Sequence, residues 1–323
     1  MLNKLVLFSF LTFFSINLLA NDILTDYRIN GVVNIQERMD KDLAKKAYWD
    51  KYLKSVDTRF GYIEKYKNVL TCNKSKSTLA LYSKDSSNTY KLQKEYSAYT
   101  GKAKGDKLRE GDLKTPIGVY NITKRISKLD SFYGPMAFVT SYPNTYDKYR
   151  GKDGSGIWIH GLPTEQERDE FTKGCIAINN QNIKCLDKHI DIEKTILIIN
   201  KTEVEENISK ETLADILTQL YTWRYAWIYN DLNSYLNFYA EDFVRFDGMT
   251  LDRFKNYKTR IFKKIEQKEI IFTEINIIPY PNSPKMYKIS FKEQYKSNSF
   301  SFTGDKVLIV KFKDHSLKII TEK

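Results

Sequence analysis

One histidine and one cysteine stand at a spacing that could form a nucleophilic pair. His160 is followed by Gly161, and Cys175, itself preceded by Gly174, comes 15 residues after the histidine. A thiol becomes an effective nucleophile only as a thiolate, and a neighbouring imidazole is the usual base that takes its proton. The sequence therefore predicts Cys175 as nucleophile and His160 as base, whereas an isolated cysteine is more often a small buried hydrophobic residue.

The remaining groups of such a site are predicted to come from the main chain. An imidazole base needs an acceptor for the proton on its other nitrogen. With no Asp or Asn at an obvious position, the carbonyl of Gly161 is the candidate. The N–H groups of Gly174 and Cys175, exposed on a turn, are predicted to form an oxyanion hole. This chemistry requires no metal ion and no organic cofactor.

Two short apolar runs are predicted to position the pair. The run Ile157–Ile159 is β-favouring and predicts a buried strand that ends at His160. The run Ile176–Ile178 predicts a second strand that begins immediately after Cys175. Each reactive side chain is therefore expected at the end of a strand, where the backbone holds it firmly.

The segment between the strands carries helix signals. Thr164 and Glu167 have the spacing of a capping box, which predicts a short helix over residues 165–172. Gly174 follows that helix, at a position where glycine readily adopts a left-handed conformation. The prediction is a helix, a glycine turn and then the nucleophile.

These residues resemble the catalytic domain of L,D-transpeptidases, the YkuD family. The family's signature is a histidine, a spacer, and then [Ser/Thr]-His-Gly-Cys followed by an apolar residue and Arg or Asn. The matching residues here are His160, Gly161, Thr172, Gly174, Cys175 and Ile176. A second hallmark, G-D-x-x-T-P-x-G-x-[Tyr/Phe], is similar to the run from Gly111 to Tyr120. The resemblance implies a mainly-β catalytic domain and acyl-enzyme chemistry on peptidoglycan.

Two positions depart from the family's pattern. Lys173 stands where the family usually has His, and Ala177 stands where it usually has Arg or Asn. A lysine near the thiol would favour the thiolate or bind a substrate carboxylate. Both departures are similar to those in the L,D-carboxypeptidases that shape helical Gram-negative bacteria. Those enzymes remove the terminal D-Ala from the tetrapeptide stem of peptidoglycan.

The resemblance thus implies a cysteine-type L,D-carboxypeptidase, a hydrolase that converts tetrapeptide stems to tripeptides and so affects cell shape. One alternative is an L,D-transpeptidase, in which an amine resolves the same acyl-enzyme and forms crosslinks. Another is a non-catalytic scaffold that binds the wall. Whether the stems acted on are monomeric or crosslinked stays open. The residues predicted to bind substrate are Trp158, Lys173, Ala177, Lys114, Thr115 and Tyr133.

Composition excludes several classes of protein. The net charge is +12, but the lysines are spread along all 323 residues, so nucleic-acid binding is not expected. Three cysteines, Cys72, Cys175 and Cys185, form neither a disulfide framework nor a zinc pattern. Cys72 and Cys185 are expected to be structural, and a bridge between them is left open.

The N-terminal region predicts export and an arm. Residues 1–20 carry Lys4 and then an apolar run, which predicts a cleaved signal peptide and a periplasmic location. Because Leu18 occupies a position that favours a small residue, an uncleaved anchor is the alternative. Residues 21–66 are predicted to form a helical arm that either packs on the catalytic domain or mediates a homodimer.

The rest of the chain divides into two predicted domains. Residues 67–201 carry short strand-like runs separated by turn residues, as expected for the mainly-β catalytic domain. After a charged linker, residues 209–323 show helices followed by antiparallel strands. This order resembles the α+β cone of nuclear transport factor 2. Its aromatic residues either fill the core or line a pocket for a small ligand, a glycan or a peptide of the wall; they are Trp223, Trp227, Phe238 and Tyr239.

Overall fold

The computed structural model describes residues 2–165 and 171–323, and only the backbone of residues 2–22. This part of the chain forms a mainly-β module, a C-terminal α+β cone and an N-terminal helical arm, as the sequence predicts. The helices are α1 (Leu2–Leu43), α2 (Lys46–Tyr52), α3 (Thr145–Tyr149), α4 (Asn180–His189), α5 (Lys210–Ile228), α6 (Leu232–Asn237) and α7 (Leu251–Phe262). Along the described chain, none of them has both the length and the apolar composition that crossing a membrane requires.

Eight strands of the first module close into one continuous sheet. Their order is β2-β3-β4-β8-β7-β6-β5-β9, and the pairs β2·β9 and β7·β8 are parallel. The strands are β2 (Asn68–Asn73), β3 (Thr78–Lys84), β4 (Tyr90–Tyr99), β5 (Gly118–Ile126), β6 (Ala137–Thr140), β7 (Trp158–His160), β8 (Ile176–Ile178) and β9 (Thr195–Asn200). Their inward side chains, such as Leu70, Phe138 and Leu197, form a fully buried core. Closure leaves no free sheet edge, so the parallel pair β7·β8 is held firmly from both sides.

The second module packs helices against one antiparallel sheet. The sheet runs β1-β10-β11-β12-β13, with strands β1 (Tyr62–Ile63), β10 (Lys268–Pro279), β11 (Met286–Ser297), β12 (Ser301–Lys313) and β13 (Ser316–Glu322). Helix α5 starts at Ser209, whose side chain accepts a hydrogen bond from the Thr212 N–H at 3.3 Å. Its apolar residues Leu213, Leu217 and Leu220 are buried against the sheet at the spacing of one helix face.

Most of the N-terminal arm packs on the second module. Trp49 and Leu53 lie in the core of the cone, and Tyr62 pairs with Ile277 of its sheet. The Arg224 guanidinium donates to the Asp40 carboxylate at 2.9 Å, and both side chains are buried.

The last residues of the arm pack on the catalytic module. The rings of Phe60 and Tyr90 lie with their centroids 5.6 Å apart, and the Tyr90 hydroxyl donates to the Tyr66 carbonyl. The expectation that the arm packs on the catalytic domain is therefore confirmed for these residues, whereas the preceding part of the arm completes the core of the cone.

A third hydrophobic core joins the two modules. Val119, Ile196 and Ile198 contribute to it from the closed sheet, and Ile278 and Met286 contribute from the cone. The segment predicted as a linker, 202–210, is anchored in this structure: Ile208 is buried and its N–H donates to the Thr58 carbonyl at 3.0 Å. The modules therefore share an apolar interface, and the domain limits at 201 and 209 stay predictions.

Candidate active site

The parallel strands β7 and β8 bring the histidine and the cysteine to one face. Ile159 lies opposite Ile176, and His160 lies opposite Ala177. Side chains alternate between faces along a strand, and both isoleucines point into the core of the closed sheet. Cys175 directly precedes Ile176, so its side chain lies on the same outer face as His160. From ideal strand geometry, the two Cα atoms are about 8 Å apart, within reach of paired side chains.

The imidazole is held in one tautomer. His160 is 1% exposed, and its Nδ1 lies 2.6 Å from the Gly161 carbonyl oxygen. A carbonyl can only accept a hydrogen bond, so Nδ1 carries the proton and Nε2 keeps its lone pair. The ring of Tyr133 meets the imidazole edge-on, with centroids 5.2 Å apart and planes at 82°. The contact predicted between His160 and Gly161 is thus present, and Nε2 is the nitrogen that could accept a proton.

The thiol lies between a donor and an acceptor of the main chain. The Trp158 N–H donates to Cys175 Sγ at 3.4 Å, and Sγ donates to the Gly156 carbonyl at 3.3 Å. The N–H group would stabilise a thiolate, whereas the carbonyl holds the proton of the neutral thiol. Cys175 is half-buried, which leaves the sulfur open to an approaching carbonyl carbon.

A buried threonine organises the turn before the nucleophile. Thr172 Oγ1 donates to the Cys175 carbonyl at 2.7 Å and accepts from the Gly174 N–H at 3.0 Å. Gly174 has a φ of 136°, and a Cβ at this position would lie 2.9 Å from the Lys114 carbonyl oxygen. Only glycine fits this turn, because both the backbone angle and the neighbouring chain exclude a side chain.

Two predictions about this turn are corrected. The Gly174 N–H is already bonded to Thr172 Oγ1, so its prediction as an oxyanion donor is not supported. Residues 166–170 of the predicted helix, with Glu167 of its capping box, lie outside the described residues. At the end of that prediction, Thr172 is not helical but forms a parallel bridge with Gly101, because the chain here joins a β-rich surface.

The second hallmark segment forms a loop folded around Asp112. Its carboxylate accepts hydrogen bonds from the main-chain N–H groups of Leu108 at 2.8 Å and Lys114 at 3.1 Å. The Lys107 ammonium donates to it at 3.0 Å. Burial alone would raise the pKa of Asp112, but these hydrogen bonds lower it to about 2. The carboxylate therefore stays ionised and fixes the loop that lies against the nucleophile turn through Lys114.

Two of the predicted substrate-binding residues are inaccessible. Thr115 is 0% exposed, and its Oγ1 accepts a hydrogen bond from the Gly101 N–H at 2.8 Å. Ala177 is also 0% exposed, directly opposite His160. Neither side chain offers surface to a substrate, so their prediction as substrate contacts is not supported. Thr115 instead ties the hallmark loop to Gly101, the residue that forms a bridge with Thr172.

The other four predicted residues reach the surface. Tyr133 and Trp158 are half-buried, with ring centroids 5.0 Å apart, and form an aromatic wall beside the imidazole. Lys114 is half-buried and Lys173 is exposed, so both ammonium groups can approach an anionic ligand. The outer face around His160 and Cys175 thus combines apolar stacking surface with positive charge.

The other two cysteines and the second histidine, His189, do not take part in this pair. All three cysteines are free, so Cys72 and Cys185 are not bridged. Burial raises the pKa of the Cys72 thiol to about 12, which makes it unreactive. His189 is exposed and bonds through Nδ1 to the Cys185 carbonyl at 2.7 Å. Among the described residues, no group of three or more His, Cys, Asp or Glu side chains could hold a metal ion.

A separate cavity of about 590 Å³ opens in the cone. Lys258 lies in it, 6% exposed, with Nζ 4.4 Å from the ring centre of Trp227. Burial lowers the pKa of Lys258 to about 8, against the opposing attraction of Glu322. Lys306 pairs with Glu322 at 3.2 Å on the same wall. The sequence does not predict these charged residues, since they are far apart along the chain and their spacing is the same as that of ordinary surface lysines and glutamates.

Comparison with known proteins matches both modules. Residues 67–199 match the profile of the L,D-transpeptidase catalytic domain, YkuD, and residues 215–323 match the Cds6 C-terminal NTF2-like domain. The crystal structure of the helical cell shape determining protein Pgp2 from Campylobacter jejuni is 38% identical, with a TM-score of 0.79, over 87% of this chain and 100% of that one. A point mutant of Pgp2 gives a TM-score of 0.80 over 98% of its chain.

Of two further relatives, one has a lower sequence identity and the other matches over a shorter part of the chain. Bd1075 from Bdellovibrio bacteriovorus is 26% identical, with a TM-score of 0.65, over 83% of this chain and 96% of its own. The putative L,D-transpeptidase YafK of Escherichia coli is 37% identical over 112 residues, which are 34% of this chain. That match spans 42% of YafK, so this chain covers less than half the length of that protein.

Proposed function

Because the chain belongs to the L,D-transpeptidase (YkuD) family with a C-terminal NTF2-like domain, we propose that it is a peptidoglycan L,D-carboxypeptidase. In this proposal it removes the terminal D-Ala from tetrapeptide stems and leaves tripeptides. The observation that carries it is the shared outer face of His160 and Cys175, with Nδ1 of the imidazole held by the Gly161 carbonyl. Similarity to Pgp2, a protein named for determining helical cell shape, supports a role in cell shape.

The proposed reaction proceeds through a thioester. His160 Nε2 takes the Cys175 proton, and the thiolate attacks the carbonyl at the L-centre of meso-diaminopimelate. The Cys175 N–H is the proposed donor to the oxyanion that forms. When the carbon–nitrogen bond breaks, the imidazolium gives its proton to the D-Ala amine. A water molecule, deprotonated by Nε2, then attacks the thioester, which releases the tripeptide carboxylate and restores the thiol.

The surface residues of the site are proposed to orient the stem. Tyr133 and Trp158 present their rings to the apolar part of the substrate next to the thiol. Lys173 lies in the nucleophile turn, and the main chain of Lys114 lies beside Gly174. In this proposal their ammonium groups attract the carboxylates of diaminopimelate and D-Ala. Fixing these charges holds the scissile carbonyl over the sulfur, which is where positioning lowers the barrier.

Hydrolysis is favoured over transpeptidation by the residue opposite the base. Ala177 is fully buried opposite His160, where family members usually carry a polar Arg or Asn. With alanine enclosed here, the position supplies no polar side chain that could extend to an amine acceptor beside the thioester. Water, which needs no binding site of that kind, is then the nucleophile that resolves the intermediate.

Incubation with purified muropeptides separates the alternatives. A disaccharide tetrapeptide and a crosslinked dimer are offered in parallel, and the products are identified by mass spectrometry. The proposal expects the tripeptide and free D-Ala as main products. Crosslinked products from the monomer would instead establish a transpeptidase, and no change in either substrate would favour a wall-binding scaffold.

The cavity of the cone is proposed as a second wall-binding site. The ammonium of Lys258 lies inside the cavity beside the ring of Trp227, and Tyr295 lines the same wall. An ammonium beside aromatic faces suits a ligand that carries both a carboxylate and apolar surface, such as a stem peptide with its sugar. The apolar interface between the modules would hold this cavity at a fixed distance from Cys175.

Export to the periplasm is proposed from the apolar leader. Residues 2–20 lie within α1, of which the structure describes only the backbone, so cleavage after residue 20 stays a prediction. A location beside the wall gives a peptidoglycan enzyme access to its substrate. N-terminal sequencing of protein from the periplasmic fraction would show residue 21 first; a retained leader would instead indicate an anchor.

A further inference from the structure

Asn180, in helix α4, forms two hydrogen bonds to the loop that follows strand β7. Asn180 Oδ1 accepts a hydrogen bond from the Leu162 N–H at 2.7 Å, and its Nδ2 donates to the Leu162 carbonyl at 3.0 Å. The orientation of the amide is fixed, because a main-chain N–H can only donate and a carbonyl can only accept. Asn180 thus makes two hydrogen bonds to one residue, adjacent to the Gly161 carbonyl that holds His160.

Two glycines lie so close to this amide that neither position has room for a side chain. A Cβ on Gly161 would lie 2.3 Å from Asn180 Oδ1 and 2.8 Å from Pro135 Cδ. A Cβ on Gly134, whose φ is 71°, would lie 2.6 Å from the same oxygen and 2.9 Å from the Gly161 carbonyl carbon. The Gly161 N–H in turn donates to the Met136 carbonyl at 3.3 Å. The peptide that carries the acceptor for His160 is therefore enclosed by the amide on one side and the Gly134 segment on the other.

The role of Asn180 is distinct from helix capping. The N-cap of α4 is Asn179, whose Oδ1 accepts from the Gln181 N–H at 2.8 Å. Asn180 is the first residue of the helix, and its side chain is directed away from the helix to Leu162. Asn179 thus caps the helix, whereas Asn180 connects the strand of Cys175 to the loop of His160.

We propose that Asn180 is a positioning residue for the imidazole, acting through Leu162 and the Gly161 carbonyl. By fixing that carbonyl, it keeps the proton on Nδ1, the lone pair on Nε2 and the ring directed along the face that carries Cys175. It also couples the two strands, so that movement of β8 moves the acceptor of His160 together with the thiol. This inference rests on the proposed use of His160 as the base for Cys175.

The test compares three variants: Asn180→Ala, Asn180→Asp and Asn179→Ala. Asn180→Ala removes both bonds to Leu162, whereas Asn180→Asp keeps the acceptor and loses the donor. Asn179→Ala removes the adjacent helix cap and serves as the matched control for damage to α4. Two measurements are made on each folded full-length protein: the pH dependence of Cys175 alkylation by iodoacetamide, read from the mass of its peptide, and kcat and KM for D-Ala release.

For Asn180→Ala we expect alkylation near neutral pH to slow by about tenfold or more, with its midpoint at higher pH, because a misplaced imidazole no longer shares the thiol proton. kcat should fall by a similar factor with KM nearly unchanged, and Asn180→Asp should lie between wild type and alanine. Asn179→Ala should lower the melting temperature without moving the alkylation profile.

Equal alkylation profiles for Asn180→Ala and wild type would overturn the positioning role, even in an active enzyme. The same conclusion follows if Asn179→Ala shifts the profile as far as Asn180→Ala, since loss of helix stability would then explain both. Alkylation requires no peptidoglycan, so this readout stands apart from the proposed activity. If the wild type releases no D-Ala while its alkylation profile depends on Asn180, the proposed substrate is wrong and the positioning role is supported.

Discussion

The hydroxyl of Thr172 stabilises the turn before Cys175 through two hydrogen bonds. Its Oγ1 donates to the Cys175 carbonyl at 2.7 Å and accepts the Gly174 N–H at 3.0 Å, and the side chain is buried. The hydroxyl donates one hydrogen bond and accepts another. An apolar group of the same shape would therefore leave a buried N–H unpaired. The turn before the thiol therefore depends on this hydroxyl as much as on the glycine.

We expect Thr172→Val to lower the free energy of unfolding by about 1–3 kcal/mol and to lower kcat for D-Ala release, because the turn loses both bonds. Thr172→Ser keeps the hydroxyl and should retain most of the activity. Chemical denaturation and steady-state kinetics on the two variants provide the check. Equal activity for the valine and serine variants would show that the turn does not need the oxygen.

We predict that ligand binding in the cone depends on pH through Lys258. Its pKa is lowered to about 8 by burial, partly offset by Glu322 and Glu293 and reinforced by the neighbouring Lys306. Below pH 8 the group is an ammonium that can bind a carboxylate; above pH 8 it becomes neutral and this attraction is lost. We expect the affinity for a tetrapeptide muropeptide to fall as pH rises from 7 to 9.

Calorimetric titration of the Cys175→Ala protein measures this affinity without turnover. Lys258→Met should lose the part of the affinity that falls between pH 7 and 9, whereas Lys255→Met, on the exposed side of the same helix, should bind as the parent does. An affinity for the muropeptide that is the same in all three proteins, or that does not change between pH 7 and 9, would remove the cavity from the account.

At the scale of elements, the arm offers an exposed apolar surface. Trp49 and Leu53 are used in the core of the cone, and α1 has a kink at Gly31 with a φ of 74°. The apolar side chains that α1 leaves more than 40% exposed are Ile23, Leu24, Tyr27, Ile29, Val32, Val33 and Met39. Several exposed apolar side chains within one segment are typical of an interaction site, and a second copy of the chain is the partner predicted here.

We predict that residues 23–33 mediate a homodimer. Deleting residues 21–33 should convert a dimer to a monomer while leaving the melting temperature nearly unchanged, because Asp40, Trp49 and Leu53 remain in place. Size-exclusion chromatography with light scattering gives the mass of each protein. An unchanged mass would end the prediction, and a wider deletion through residue 60 would be uninformative because it removes part of the core.

The sequence predicted elements better than it predicted contacts. Helices and then antiparallel strands follow one another in residues 209–323 as predicted, because burial of one face determines periodicity. The strands on either side of the nucleophile turn were also expected. The hydrogen bond between Gly174 and Thr172 is not predicted, since hydrophobic periodicity does not show which side-chain oxygen a turn N–H meets. The division of the arm between the two modules is not predicted either, because it depends on contacts between residues far apart along the chain.

At the scale of the whole molecule, the two modules are joined by shared apolar burial. Ile196 and Ile198 of the closed sheet lie in one core with Ile278 and Met286 of the cone. The Tyr149 hydroxyl adds a polar contact to the Asp242 carbonyl at 3.2 Å. An interface of this composition resists separation, so the cone should keep its orientation to the active site during catalysis.

We therefore expect one cooperative unfolding transition for the whole chain. Calorimetry and tryptophan fluorescence should give the same midpoint, although Trp158 lies in the closed sheet and the other three tryptophans lie in the cone and its arm. Coincidence of the two probes is the standard test of two-state behaviour. Two resolved transitions would show that the modules unfold independently and that the shared core contributes little.

The most direct test of the account is D-Ala release from a defined disaccharide tetrapeptide by matched cysteine variants. Cys175→Ala removes the proposed nucleophile, whereas Cys185→Ala removes a half-buried thiol from the middle of α4, outside the strand pair. We predict no release by Cys175→Ala and wild-type release by Cys185→Ala, with both variants folded. Release by Cys175→Ala at the wild-type rate would contradict the assignment of the nucleophile, and with it the proposed chemistry.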